Sequence, residues 1–252
     1  MARALLSWWE TNGRRDPAQK PWMFTPAGRW PTAAEDLDPY GIWIAEVMLQ
    51  QTQLTVALPY WRRWMQVFPS AEALAASSLD QVRLQWQGLG YYSRARRLHE
   101  AALMLMWQSW PRTVEGWMAL PGIGRTTAGG ILSSAFNAPV AILDGNVKRV
   151  LARVHAHPRP PARDQALFWV WSEALLDPER PRDVNQALMD LGATLCTPRQ
   201  PDCSRCPWST FCAAYAAGVP IRWPVSDARK SLPFQVISVG VVLNAAGEVL
   251  ID

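Results

Sequence analysis

The sequence predicts an all-α protein through about residue 223, followed by the beginning of a β-containing domain. Two observations predict the helices. From residue 4 onward apolar residues return every three or four positions, and Pro and Gly break these runs at ordinary helix lengths. A third predicts the change: Gln235 to Leu243 is rich in Val and Ile, Asn244 to Gly247 is turn-like, and Val249 to Ile251 reads as a returning strand. Two strands alone are marginally stable at best, so the chain is expected to stop just inside a second domain, with residues 224–234 as linker.

Taken in order, residues 12 to 37 are rich in Pro, Gly and charge and read as an irregular loop. Asp38 and Pro39 suit the start of a helix over Tyr40 to Gln51, and Thr55 to Val67 follows as an amphipathic helix. Pro69-Ser70-Ala71-Glu72 and Ser78-Leu79-Asp80 carry cap residues for two further short helices. Asn185 to Leu195 reads as the helix that leads into the only cysteines of the chain. His99, His155 and His157 show no metal or triad spacing and read as structural, and the fifteen tryptophans read mostly as core.

Composition sets the boundaries. With 252 residues, 49% of them hydrophobic, the chain can bury one large core or two small ones. The net charge of +4, the pI near 9.1 and the excess of Arg over Lys suit phosphate contact without proving it. No apolar run approaches the roughly 18 residues of a membrane span, and the first ten residues lack the basic-then-apolar layout of a signal peptide. A soluble cytoplasmic monomer is the expectation.

Cys196, Cys203, Cys206 and Cys212 are spaced Cys-x6-Cys-x2-Cys-x5-Cys in a Pro-rich stretch. In a reducing compartment such crowding reads as a metal site, either a tetrahedral metal or an iron-sulfur cluster. Zinc sites more often pair two Cys-x2-Cys knuckles, and only one is present. Leu120-Pro121-Gly122-Ile123-Gly124-Arg125-Thr126-Thr127-Ala128 sets two glycines in a tight turn before a helix, where bare N–H groups make an anion site suited to a DNA phosphate. Glu46 is the only charge between Ile42 and Thr52. Its spacing with Gln50 and Gln53 reads as a solvated stripe, or as a carboxyl lining a half-buried pocket with a raised pKa. Asp144, in Ile142-Leu143-Asp144-Gly145-Asn146-Val147, reads by itself as the cap of the helix starting at Asn146. Gln87-Gly88-Leu89-Gly90-Tyr91-Tyr92-Ser93-Arg94-Ala95-Arg96-Arg97 reads either as a buried aromatic turn or as wedge and stacking side chains beside a basic cluster.

These five motifs together resemble the helix-hairpin-helix DNA glycosylase superfamily, in its branch of adenine DNA glycosylases of the MutY type, over about residues 2 to 223. The resemblance implies an all-α, two-lobed region with duplex DNA in the cleft, a middle lobe of about 40–143 and a second lobe of about 1–39 plus 144–223. It implies a 4Fe-4S cluster on Cys196, Cys203, Cys206 and Cys212. Glu-Val-Met-Leu-Gln-Gln-Thr is the signature of the branch, which makes Glu46 the acid that protonates a ring nitrogen of a flipped adenine. Asp144 would stabilise the oxocarbenium-like sugar, and Asn146 would position Asp144 and the water. Gly122, Gly124 and Arg125 would grip the DNA, and Gln51, Leu89 and Tyr91 would enter the base stack near the opposing 8-oxoguanine or guanine. Thr126 stands where bifunctional relatives carry a Schiff-base Lys, which implies hydrolysis without strand cleavage.

Thr126 and Leu143-Asp144-Gly145-Asn146 argue against the alternative of an endonuclease III-like glycosylase and lyase for damaged pyrimidines, which carries Val-Asp-Thr-His at the second place. Retention of Glu46 and Asp144 argues against a non-catalytic DNA-binding module. The loop from Asp16 to Leu37 is longer than the family's basic-aromatic link. The family's Nudix-like C-terminal domain corresponds here to at most its first hairpin, which would weaken a preference for 8-oxoguanine.

Overall fold

The computed structural model describes residues 1–227 continuously and, beyond them, only 234, 236, 240, 241, 243 and 245–249. Its helices are α1 (Ala2–Asn12), α2 (Pro39–Met48), α3 (Leu54–Val67), α4 (Ala71–Ala75), α5 (Leu79–Trp86), α6 (Ser93–Leu105), α7 (Val114–Met118), α8 (Arg125–Phe136), α9 (Gly145–Val154), α10 (Gln165–Glu173), α11 (Pro181–Thr194) and α12 (Ala213–Ala216). No helix among the described residues is long and apolar enough to cross a membrane. One antiparallel bridge pairs Leu243 with Val249; the remainder of the two expected strands lies outside the described residues.

Local chemistry starts the helices. Asp38 accepts the Tyr40 N–H at 3.0 Å with Pro39 in the first turn of α2, and Ser78 exchanges side-chain and backbone bonds with Gln81 in a full capping box on α5. Ser70 likewise caps α4. The end of α2 is satisfied from another helix: the buried Arg94 of α6 donates Nη1 to the carbonyls of Val47, Met48 and Gln50 at 2.6–3.0 Å. These are orphan acceptors of a helix terminus, and a charged donor satisfies them strongly. Arg94 is thus a strut inside the fold, not a member of a solvated basic cluster.

Two hydrophobic cores follow. The first gathers α2 to α8 around the fully buried Trp43, Trp64, Trp86 and Trp117. The second gathers Leu5, Leu6 and Trp9 of α1 with residues from Ala141 through α9, α10 and α11 to Trp208. Trp22, Met23 and Leu37, expected with the second lobe, pack in the first core, because Pro21–Met23 forms a short 3-10 turn whose apolar side chains face α2 and α3. Conversely Ala141, Ile142 and Leu143 belong to the second core. Arg182 of α11 ties the lobes together, donating to Ser134 O and Ala135 O at the end of α8 and to Thr32 O and Glu35 O of the long loop.

The three histidines bond locally. His99 bonds Ser77 O at 2.8 Å, His157 pairs with Asp164 at 2.7 Å, and His155 stacks on Trp171 at 3.9 Å.

Candidate active site

The candidate site lies where the two cores meet. Every residue of α2 except Glu46 is buried, and Glu46 itself is half-buried. It therefore does not lie on a solvated stripe. Its carboxyl faces the backbone of α8 at Gly130, where a methyl group would come within 2.8 Å of Oε2. A side chain there would occupy the space of the carboxyl, so the bare backbone of Gly130 is what lets α8 approach the acid.

Asp144 caps α9, its Oδ1 accepting the Val147 N–H at 2.7 Å. The cap fixes the carboxylate at the first turn of α9. Asn146 approaches Asp144 Oδ2 at 3.5 Å and accepts from Arg149 Nη2 at 2.9 Å. Arg149 also donates to Gly192 O and Cys196 O, so Asn146 is held from α11 and from the cysteine loop. Thr126, in the first turn of α8, donates Oγ1 to Leu143 O at 3.1 Å, which sets it beside the residue preceding Asp144.

The electrostatics are those of two carboxyls in a partly dry cleft. Burial first, and then the charge of Asp144, push Glu46 up to about 7, while Lys20 pulls the other way. Burial also raises Asp144, opposed by the backbone N–H groups of Val147 and Asn146 and by Arg149 and Lys148. One carboxyl of the pair thus holds a proton near neutral pH, as a general acid must.

The hairpin joins α7 to α8. Leu120 and Ile123 anchor its turn in the first core, Gly122 takes φ +83°, and Gly122, Gly124 and Arg125 are exposed. Gly124 begins α8 without a side-chain cap, so the first N–H groups of the helix have no side-chain cap partner. Arg125 stacks on Trp169 at 4.0 Å and pairs with Glu173 of α10 at 2.6 Å. Gln51 and Tyr91 are exposed and both hold positive φ, at 57° and 49°. Leu89 differs from the expectation. It is only 6% exposed and packs in the first core, whereas Tyr91 and Tyr92 face outward.

Cys196, Cys203, Cys206 and Cys212 are free thiols around one cavity, which Arg153 and Trp208 also line. Arg153 Nη1 donates to Cys196 Sγ at 3.3 Å, and Cys212 Sγ donates to Arg153 O at 3.4 Å. One zinc ion, at about 2.3 Å from each thiolate, needs its sulfurs within about 4 Å of one another. Among the described residues no group of three or more His, Cys, Asp or Glu is arranged to hold a single metal ion. Four thiols around a cavity fit a wider iron-sulfur cluster. Burial pushes Cys206 up to about 11 and raises Cys203 and Cys212, so loading releases protons.

Residues without a signal in the sequence also build the site. Gly130, Arg149 and the buried Lys20 are isolated letters there and acquire meaning only from what lies across from them.

Residues 44–172 match the HhH-GPD superfamily of base excision DNA repair proteins, and residues 196–212 match the iron-sulfur binding domain of endonuclease III. The chain is 45% identical to the adenine DNA glycosylase of Mus musculus over 217 residues, 84% of this chain and 41% of that protein. It is 34% identical to the adenine DNA glycosylase of Buchnera aphidicola subsp. Schizaphis graminum over 91% of this chain and 63% of that protein. The chain thus spans from about two fifths to under two thirds of the length of these relatives. Among solved structures, a thermostable thymine-DNA glycosylase superposes with a TM-score of 0.73 at 27% identity, covering 86% of this chain and 95% of that one. A trapped endonuclease III-DNA covalent intermediate superposes at 0.66 and 20% identity over 86% of this chain and 95% of that one, which speaks to the fold alone.

Proposed function

The chain belongs to the HhH-GPD superfamily of base excision DNA repair proteins, and from that membership we propose that it is a monofunctional adenine DNA glycosylase acting on adenine opposite 8-oxoguanine or guanine. The observation that carries the reading is the half-buried Glu46 carboxyl, protonated near neutral pH and paired across the lobe boundary with Asp144. The names of the relatives support the choice of base.

In this reading the duplex lies across the cleft and the adenine leaves the stack, at a cost of a few kcal/mol that contacts must repay. The exposed N–H groups at the start of α8 and the Arg125 guanidinium hold a phosphate, while Gln51 and Tyr91 approach the opposing base. Glu46 gives its proton to a ring nitrogen of the adenine. The N-glycosidic bond then breaks with its electron pair going to the base. Asp144 stabilises the positive sugar as an anion, water adds to the anomeric carbon, and the proton of that water returns to the carboxylate pair. Asn146, fixed by Arg149, orients Asp144. Thr126 has no amine, so no Schiff base forms at this position.

Cys196, Cys203, Cys206 and Cys212 would hold the iron-sulfur cluster that the match over residues 196–212 implies, and the cluster would cross-link them into a stiff loop. Base hydrolysis moves no electrons, so this assigns the loop a structural part.

The test is incubation with duplexes containing adenine opposite 8-oxoguanine, adenine opposite guanine, or thymine glycol, followed by hot alkali. Strand breaks are expected with the two adenine duplexes, only after alkali. Cleavage of the thymine glycol duplex alone would move the protein to the endonuclease III type.

A further inference from the structure

The buried ammonium of Lys20 takes no part in the proposed mechanism. Lys20 lies in the long loop directly before the Pro21–Met23 turn, and it is only 5% exposed. The turn fixes it from one side, since Trp22 and Met23 pack in the first core. On the other side its Nζ donates to Gln186 Oε1 and Asp190 Oδ1 of α11, each at 2.8 Å. Gln186 in turn donates to Ser134 Oγ of α8 at 3.2 Å. Ser134 stands four residues after Gly130, about one turn and 6 Å along the same face of α8. Gly130 is where the Glu46 carboxyl touches that helix. Lys20 is therefore linked through Gln186 to the face of α8 that the Glu46 carboxyl touches one turn earlier.

The partners of Lys20 do not cancel its charge. Asp190 also accepts from Arg14 N, Arg14 Nε and Trp9 Nε1, so one carboxylate serves two cations. Arg14 is the outer of the two, with 24% of its side chain exposed against 6% for Lys20. The other charged groups facing this region are engaged elsewhere. Arg94 of α6 is spent on carbonyls at the end of α2, Arg182 of α11 on carbonyls of α8 and the loop, and Arg62 of α3 on Ala18 O. Asp144, from α9, acts on Glu46 with the opposite sign.

Resting on the proposed role of Glu46 as the acid, we infer that Lys20 is a positioning residue that limits how firmly the cleft holds the proton on Glu46. The direction follows from Coulomb's law in a poorly solvated interior. Burial and Asp144 favour the neutral carboxyl, and a fixed ammonium favours the anion. A carboxyl with too high a pKa would keep its proton instead of giving it to the base, so the counterweight keeps the acid near the working pH. Lys20 itself is pushed down by burial and held up by Asp190 and Glu46.

The test is the single-turnover rate of adenine release from a duplex with adenine opposite 8-oxoguanine, measured from pH 5.5 to 9.5. In the wild type the rate falls on the alkaline side as Glu46 ionises. Lys20→Met should move this limb to higher pH by about half a unit to one unit, and Lys20→Arg should return it close to its original place. If Lys20→Met does not fold, Lys20→Gln removes the charge while keeping a hydrogen-bond donor for Asp190, which Arg14 still pairs, and carries the same expectation. A loss of thermal stability with an unmoved limb in whichever of these variants folds would reduce Lys20 to a packing residue and overturn the inference. Absence of adenine release by the wild type would defeat the functional reading itself, a distinguishable result.

Discussion

Thr126 Oγ1 donates to the carbonyl of Leu143 at 3.1 Å, which joins the first turn of α8 to the residue preceding Asp144. The side chain at position 126 thus lies at the seam where the first lobe meets the aspartate of the second. An amine placed there would sit among groups that burial keeps poorly solvated, and its pKa would fall. Thr126→Lys is expected to form a Schiff base with the sugar after base release and to cut the strand by β-elimination. Borohydride should trap a covalent protein-DNA adduct with the variant and little with the wild type. Strong trapping by the unmodified protein would point to another amine, with Lys148 the first to replace.

Glu46 yields a prediction in which activity and stability move oppositely. Its carboxyl is raised from 4.5 to about 7 by burial and by Asp144. Between those values the unfolded chain ionises the residue while the folded protein keeps it protonated. Folding then binds a proton, and stability falls as pH rises through that window, by about 3 kcal/mol in all. Below 4.5 both states hold the proton and the penalty vanishes. Glu46→Gln keeps the shape without the charge. Excision should drop by a factor on the order of 100 or more, while denaturant melts at pH 8 should show the variant more stable by up to that amount. The two proteins should converge near pH 4. Equal stability at pH 8 would mean that the carboxyl is well solvated in the folded protein.

The cysteine loop predicts colour and composition. Purified protein should be brown, with broad visible absorbance and about four irons per chain. Cys203→Ser should lower folded yield or duplex affinity more than it lowers the single-turnover rate of the protein that remains. A colourless protein with one zinc per chain would contradict the cluster.

What was legible in the sequence followed from short-range chemistry. Asp38 and Pro39, Ser70, Ser78 and Asp144 carry their capping roles in their own side chains, so the helix starts were readable from them. The four cysteines are close in sequence, and closeness in sequence is what a loop ligand set shows. Long-range electrostatics was not legible. Lys20 meets Asp190 across 170 residues, and nothing near it in the sequence marks it as buried. Arg94 read as one more member of a basic run, yet the carbonyls at the end of α2 take it inside. Glu46 fell between two readings because helical spacing places a side chain on a face without saying what covers that face; Gly130 of α8 covers it. The burial of Leu89 was not legible for a related reason, since a turn rich in aromatics does not reveal which side chain turns inward.

Arg125 is already partnered before any DNA arrives. Its guanidinium lies over Trp169 at 4.0 Å and pairs with Glu173 of α10 at 2.6 Å, with both charged side chains 48% exposed. A pair so exposed contributes at most about 1 kcal/mol, little enough for a DNA phosphate to displace the carboxylate. Binding then carries a small internal cost, because Glu173 must give up the cation that the phosphate takes. Glu173→Gln removes the competitor and leaves the stacking on Trp169 in place. Duplex affinity at low salt should rise a few-fold, and the fall of affinity with salt should steepen by at most about 0.9 in the log-log slope, the contribution of one phosphate contact. Arg125→Ala should weaken binding uniformly across sequences, and adding Glu173→Gln to it should then change little. This non-additivity is the decisive measurement, because a general charge effect of Glu173 would persist without Arg125 whereas a direct competition would vanish with it.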